Sequence, residues 1–252
     1  MQRWVFFGRV LPERLPLRIN PPIETSNVVE QLGISFDLSL GIADGQFVAN
    51  VTLTNGSSDL LTLRNLVENN VRSIVDLIGY QEGMRFEVET ISGVSLDSGE
   101  RCIFGTKIPI LAERRKARQS SELPANLLVA VSSEVSMQMV LSDFREAIRS
   151  PIGTGFFCYR AIEAMMQSMK NGNESDSTSW ARLRNNLCVA RVAIDYVKRH
   201  ADLPRHGKVS VIADNERAKV FEITDEIIGR FIEYLMNEKH PLPGNKFPEL
   251  II

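Results

Sequence analysis

A chain of 252 residues can bury one large core or two ordinary ones, and with 44% hydrophobic and 24% charged residues it has a soluble globular composition. Its longest apolar runs, such as residues 127–131, are far too short to span a bilayer, so no membrane helix is expected. The net charge of −2 gives no global attraction to nucleic acid, which leaves local clustering as the only source of a polyanion site.

The chain starts Met1-Gln2-Arg3-Trp4-Val5-Phe6-Phe7, then breaks at Gly8 without the longer apolar core and small-residue cleavage site of a signal peptide; a cytoplasmic location is expected. Cys102, Cys158 and Cys188 form no close pair, which argues against a zinc site or a disulfide framework and for reduced, mostly buried thiols. The first half alternates in twos. Ile34, Phe36, Leu38 and Leu40 share one face, Asp44-Gly45 supplies a turn, and residues 47–54 run back, which predicts a hairpin. Further β-prone runs at 4–10, 15–19, 84–90 and 101–108 predict an antiparallel sheet or small barrel. One helix interrupts them, with Leu63, Leu66, Val67, Val71, Ile74, Val75 and Ile78 at helical spacing and Gly79 as its expected end.

Residues 112–122 are charged and have no apolar stripe, so they are expected to form an exposed linker. Beyond it the hydrophobic period becomes helical. Residues 137–148 and 156–169 predict two helices meeting at Pro151, with Gly153-Thr154-Gly155 as a helix-start turn and Met165, Met166 and Met169 as core or interface filler. Trp180, Leu183, Leu187, Ala190, Ile194 and Val197 then predict a single long third helix, capped by Ser177, Thr178 or Ser179. Thr224-Asp225-Glu226 marks the expected start of a last helix, and residues 241–252 an extended tail. The fold class is therefore α+β: a β-rich domain with one packed helix over 1–122, and an all-α bundle over 123–252.

Charge clusters once. Between 182 and 208 stand seven basic residues against Asp195 and Asp202, and Arg184, Arg191 and Lys198, spaced by seven, predict a basic ridge leading to the stretch Arg199-His200-Ala201-Asp202-Leu203-Pro204-Arg205-His206-Gly207, expected to be a loop. An arginine can hold a phosphate in a fork, and a histidine exchanges protons near neutral pH. Such a pair can cut RNA through the ribose 2′-hydroxyl without a protein nucleophile, and no Gly-x-Ser-x-Gly elbow or Cys-His arrangement competes with it. No His/Asp/Glu cluster has metal-ligand spacing, so neither metal nor cofactor is expected.

The run Phe156-Phe157-Cys158-Tyr159-Arg160-Ala161-Ile162-Glu163-Ala164, then Trp180-Ala181-Arg182-Leu183-Arg184 opening a helix that ends in Arg199…His206-Gly207, resembles the HEPN superfamily across the helical half. The signature of that superfamily is an arginine, a polar residue and a histidine after a short spacer; Arg199, His200 and His206 fit it with six residues between the arginine and the last histidine. The resemblance implies a dimerising helical bundle and metal-independent RNA cleavage, in a toxin or phage-defence setting. His206 would be the general acid or base, Arg199 would hold the phosphate, and His200, Arg205, Lys198, Arg191 and Arg184 would bind.

The residues leave other readings open. The helical half could be a non-catalytic module that binds a nucleotide, RNA or protein and dimerises. His206 could cap the helix end while Arg199 pairs with Asp195 or Asp202, and Glu163 could pair with Arg160 one turn away.

Overall fold

The computed structural model describes residues 2–252 apart from 14–16, 106, 118–127, 130, 133 and 209–210. Contacts divide the chain into two compact units, residues 1–106 with 211–214 and residues 107–210 with 215–252.

In the first unit the chain runs through β1 (Arg3–Leu11), β2 (Ile19–Val29), β3 (Ile34–Ala43), β4 (Gln46–Asn55), α1 (Leu60–Glu82), β5 (Glu87–Ser95) and β6 (Arg101–Ile103). The strands form one antiparallel sheet in the order β2-β3-β4-β1-β5-β6. The predicted hairpin is β3–β4: Ala43 pairs with Gln46, and Asp44 and Gly45 between them both take positive φ, 51° and 76°, as a tight two-residue turn requires. Alternation then works as expected. Phe36, Leu38 and Leu40 of β3 and Phe47, Ala49 and Val51 of β4 are buried, in one core with Leu63, Val67, Val71 and Val75 of α1. Asp59 caps α1 by accepting from the Thr62 amide at 2.9 Å.

Four boundaries differ from the sequence expectation, the β-run expected at 84–90 being a strand over Glu87–Ser95. The helix passes Gly79, which is buried where a side chain would meet the Met84 carbonyl, and ends at Gly83 with φ 65°. The β-run expected at 15–19 is a strand from Ile19 on, Leu15 and Pro16 lying outside the described residues; β2 holds Pro21 and Pro22, which an edge strand tolerates because no ladder bond is lost there. The run expected at 101–108 pairs only over Arg101–Ile103. On α1 the carboxylate of Glu68, 4% exposed, is held by Arg64 at 2.8 Å and Arg72 at 3.5 Å and accepts from the Thr90 amide of β5.

The second unit is helical: α2 (Pro109–Ala117), α3 (Val135–Arg149), α4 (Thr154–Ser168), α5 (Asp176–Leu187), α6 (Arg191–Arg205) and α7 (Asp214–Met236) among the described residues. Its core joins Met137 and Val140 of α3, Ile162 and Met165 of α4, Leu183, Ile194 and Val197 of α5 and α6, and Phe221, Ile227 and Phe231 of α7. Together the units give the expected α+β architecture.

The expected linker is partly a helix. Leu111 of α2 is buried, Arg114 binds Asp225 at 2.9 Å and also Glu226, and Arg115 binds Asp225. Arg114 and Arg115 are paired on α7, which anchors the helix where an apolar stripe is missing, while Glu113 and Lys116 are exposed; residues 118–122 lie outside the described residues. Asp225 is accordingly no helix start: it sits mid-helix in α7, which begins at Asp214. The turn at Gly153-Thr154 opens α4 as expected. There the buried Arg217 donates to Thr154 Oγ1 at 2.9 Å and to the Ile148 carbonyl at 3.0 Å, satisfying an end of α3. Among the described residues no helix is long and apolar enough to cross a membrane.

Candidate functional site

The long third helix expected over 177–197 is two helices. Cys188 closes α5 in a left-handed conformation, φ 52°, a strained choice for a residue other than glycine. Distant partners hold the break open. Buried Arg230 of α7 donates to the carbonyls of Leu187 at 3.2 Å and Cys188 at 2.6 Å, while Leu250 in the tail accepts from the Ala190 amide and donates to the Cys188 carbonyl. The carbonyls that a continuous helix would have bonded internally are thus satisfied from elsewhere.

This break changes the meaning of the basic spacing. On one straight helix Arg184 and Lys198 would lie about 21 Å apart along the axis. Across the turn at 188–190, Arg184 at the end of α5 and Arg191 and Lys198 on α6 instead line one cleft of about 260 Å³, together with Tyr159, Ser177, Trp180, Ile194 and Asp195. Tyr159 and Trp180 stack with centroids 5.9 Å apart and planes 16° off parallel, and the Arg205 guanidinium lies 5.5 Å from the Tyr159 ring centroid.

Charge in the cleft is only partly compensated. Arg191 pairs with Asp195 at 3.2 Å, one turn along α6. Arg184 and Lys198 make no ion pair among the described residues, so the lining carries three cations against one carboxylate. Burial first, and then nearby Glu163, push the Tyr159 phenol up to about 12, so it is a neutral donor at ordinary pH; its hydroxyl has no hydrogen-bond partner among the described residues. Glu163 is also raised by burial, against the pull of Arg205 and Lys198. It pairs with Arg205 at 3.2 Å rather than with Arg160, which reaches Asp143 at 3.2 Å instead.

Residues 199–205, expected as a loop, are the last two turns of α6, with Pro204 inside the helix and His206 closing it. Arg199 turns toward its own helix and α7: its guanidinium lies 3.9 Å from the Tyr196 ring centroid, its Nε donates to His200 Nε2 at 3.2 Å, and it lies 3.8 Å from Glu216. Neither Asp195 nor Asp202 is its partner. His200 is a buried residue of the α4–α6 packing, where Gly155 lies so close that a Cβ there would come within 2.5 Å of the His200 carbonyl. Burial lowers its pKa, the repulsion of Arg199 adding to this and Glu216 opposing it. The ring of His206 is exposed and makes no hydrogen bond or ion pair among the described residues.

Of the sequence candidates, Arg184, Arg191 and Lys198 share one site, Arg205 supports its aromatic wall, and Arg199, His200 and His206 lie beyond it on α6. Sequence reasoning missed Tyr159, Trp180 and Asp195 as lining residues, since nothing local pairs an aromatic of α4 with one of α5. Among the described residues no three His, Cys, Asp or Glu side chains converge as metal ligands.

Family comparison divides the chain near the same place. Residues 4–104 match the N-terminal domain, and residues 124–236 the C-terminal domain, of a domain of unknown function, DUF8168. The chain belongs to the DUF8168 family. Comparison with curated proteins and with solved structures gives no match. The whole cleft, from Tyr159 to Lys198, falls within the DUF8168 C-terminal domain, as do Arg199 and His206.

Proposed function

We propose that this is a cytoplasmic protein whose helical unit is a HEPN-like module that binds RNA. The observation that carries the reading is the convergence of Arg184, Arg191 and Lys198 on one cleft whose described lining holds one carboxylate, Asp195. Cations placed together without carboxylate partners favour a phosphate backbone, and an aromatic wall suits nucleosides. The near-neutral net charge of the chain is no obstacle, because the field that matters is local. Fluorescence anisotropy with a labelled single-stranded RNA tests this. Wild type should bind in a salt-dependent manner, and replacing Arg184 and Lys198 by Gln should weaken binding and flatten the log–log salt slope by about 0.7 for each cation removed. Unchanged affinity in the double variant overturns the reading.

Metal-independent RNA cleavage is the second reading, and the exposed ring of His206, unpaired among the described residues, favours it. Arg199 stands seven residues before it, roughly 10 Å along the axis of α6, and its guanidinium is turned onto the Tyr196 ring and toward Glu216. Two copies associating through their helical units would supply His206 from one and Arg199 from the other. Incubating RNA with the protein and EDTA should then give cleavage that His206→Ala abolishes; equal cleavage by wild type and variant removes His206 from the chemistry.

A further inference from the structure

We infer that the cleft takes a phosphomonoester, the group that ends an RNA chain or a free mononucleotide, rather than an internal phosphodiester. The inference rests on the RNA-binding reading and names which part of the nucleic acid the cleft holds. Arg191 is committed to Asp195. Among the described residues Arg184 and Lys198 pair with no carboxylate, and the hydroxyl of Tyr159, on a residue only 5% exposed, has no hydrogen-bond partner. The site therefore offers three donor groups, two of them charged, around a cavity of about 260 Å³.

A phosphomonoester near neutral pH carries about −1.5 to −2 charges on three terminal oxygens. A phosphodiester carries one charge on two. The three unspent donors with two unspent positive charges match the first in both number and charge. The lining's excess of three cations over one carboxylate is likewise close to the charge of a dianion. A guanidinium and an ammonium together fit the usual recognition of phosphate, the first as a planar fork and the second as a point charge.

The neutral donor is the part that a merely basic surface lacks. A tyrosine so buried is kept in register by its neighbours: Trp180 stacks on its ring, and the guanidinium of Arg205 lies near it, itself anchored on Glu163. The phenol keeps its proton at neutral pH, its pKa pushed up to about 12 by burial, and so can present an O–H to the anion. Trp180 and Ile194 supply the apolar part of the lining against which a sugar or base can rest.

The test compares four probes: one labelled oligouridylate with a 5′-phosphate, with a 3′-phosphate, and with hydroxyls at both ends, and UMP as a competitor. A phosphate-ended strand should bind about tenfold more tightly than the hydroxyl-ended one, the scale of a hydrogen bond to a charged group. The preferred end identifies which terminus enters, and competition by UMP shows that the free nucleotide is itself a ligand. Tyr159→Phe keeps the ring and its stacking, so its melting temperature should match wild type while the preference for a phosphate end is reduced and the binding of the hydroxyl-ended strand is unchanged. Equal binding of all three strands, or a preference undiminished in Tyr159→Phe, overturns the inference and leaves RNA binding standing. Failure to bind any strand overturns both.

Discussion

In the sheet unit Arg3, Arg9, Arg18, Arg64, Arg72 and Arg85 each reach a carboxylate, whereas beside the cleft of the helical unit Arg184 and Lys198 reach none among the described residues. The contrast does not lie in how the two units are held together, because each buries one acid between two arginines. Glu68 sits between Arg64 and Arg72, and Asp225, 2% exposed, between Arg114 and Arg115. Paired charge is used for folding in both, and the helical unit also keeps charge in hand around a cavity. A ligand-binding surface is recognised by what the fold leaves unspent.

The sharpest way to break the likeness is to remove each buried acid in turn. Glu68→Ala and Asp225→Ala should each cost about 3 kcal/mol in chemical denaturation, since both strand arginines in partly buried surroundings. A cost confined to one of them would show that the other clamp is ornamental. A smaller effect separates packing from charge. Gly155→Val places a side chain against the His200 backbone, where α4 and α6 meet, and should cost about 2 kcal/mol with no polar group altered.

The smallest effect is a slope with pH. Burial lowers the pKa of His200 in the folded protein, so the unfolded chain takes up the proton first as pH falls. Stability then rises with pH between that lowered value and the ordinary imidazole value of about 6.5, and is lost as pH falls through this window. Melting temperatures between about pH 7 and 5 should decline less steeply in His200→Asn than in wild type. Asp143 and Glu163, raised by burial, act in the opposite sense: the folded state holds their protons more tightly, so they favour the fold as acidity increases. Identical slopes in the two proteins would remove His200 as the source.

Much of the architecture is readable because it repeats. The period of two in β3 and β4, the Asp44-Gly45 turn and the helical period of α3 and α4 are local signals, and each appears where the sequence puts it. Elements held by distant charge are not readable in this way. The helix α2 has a single buried apolar anchor, Leu111, and its arginines are explained only by acids more than a hundred residues later. At the site, the spacing of Arg184, Arg191 and Lys198 was visible, but it described a ridge where there is a cleft.

By itself, then, the sequence determined that an alternating half precedes a helical half and that cations gather between 182 and 208, since propensity, period and composition are local properties. Tertiary structure alone decided what those cations do. The apolar repeat from Trp180 to Val197 is consistent with one helix, yet the carbonyls at Leu187 and Cys188 find better-placed donors in Arg230 and Leu250. Backbone groups must be satisfied by some partner, and where that partner comes from forty to sixty residues away no local pattern can announce it. That exchange of hydrogen bonds ends α5, starts α6, and turns a line of basic residues into a site.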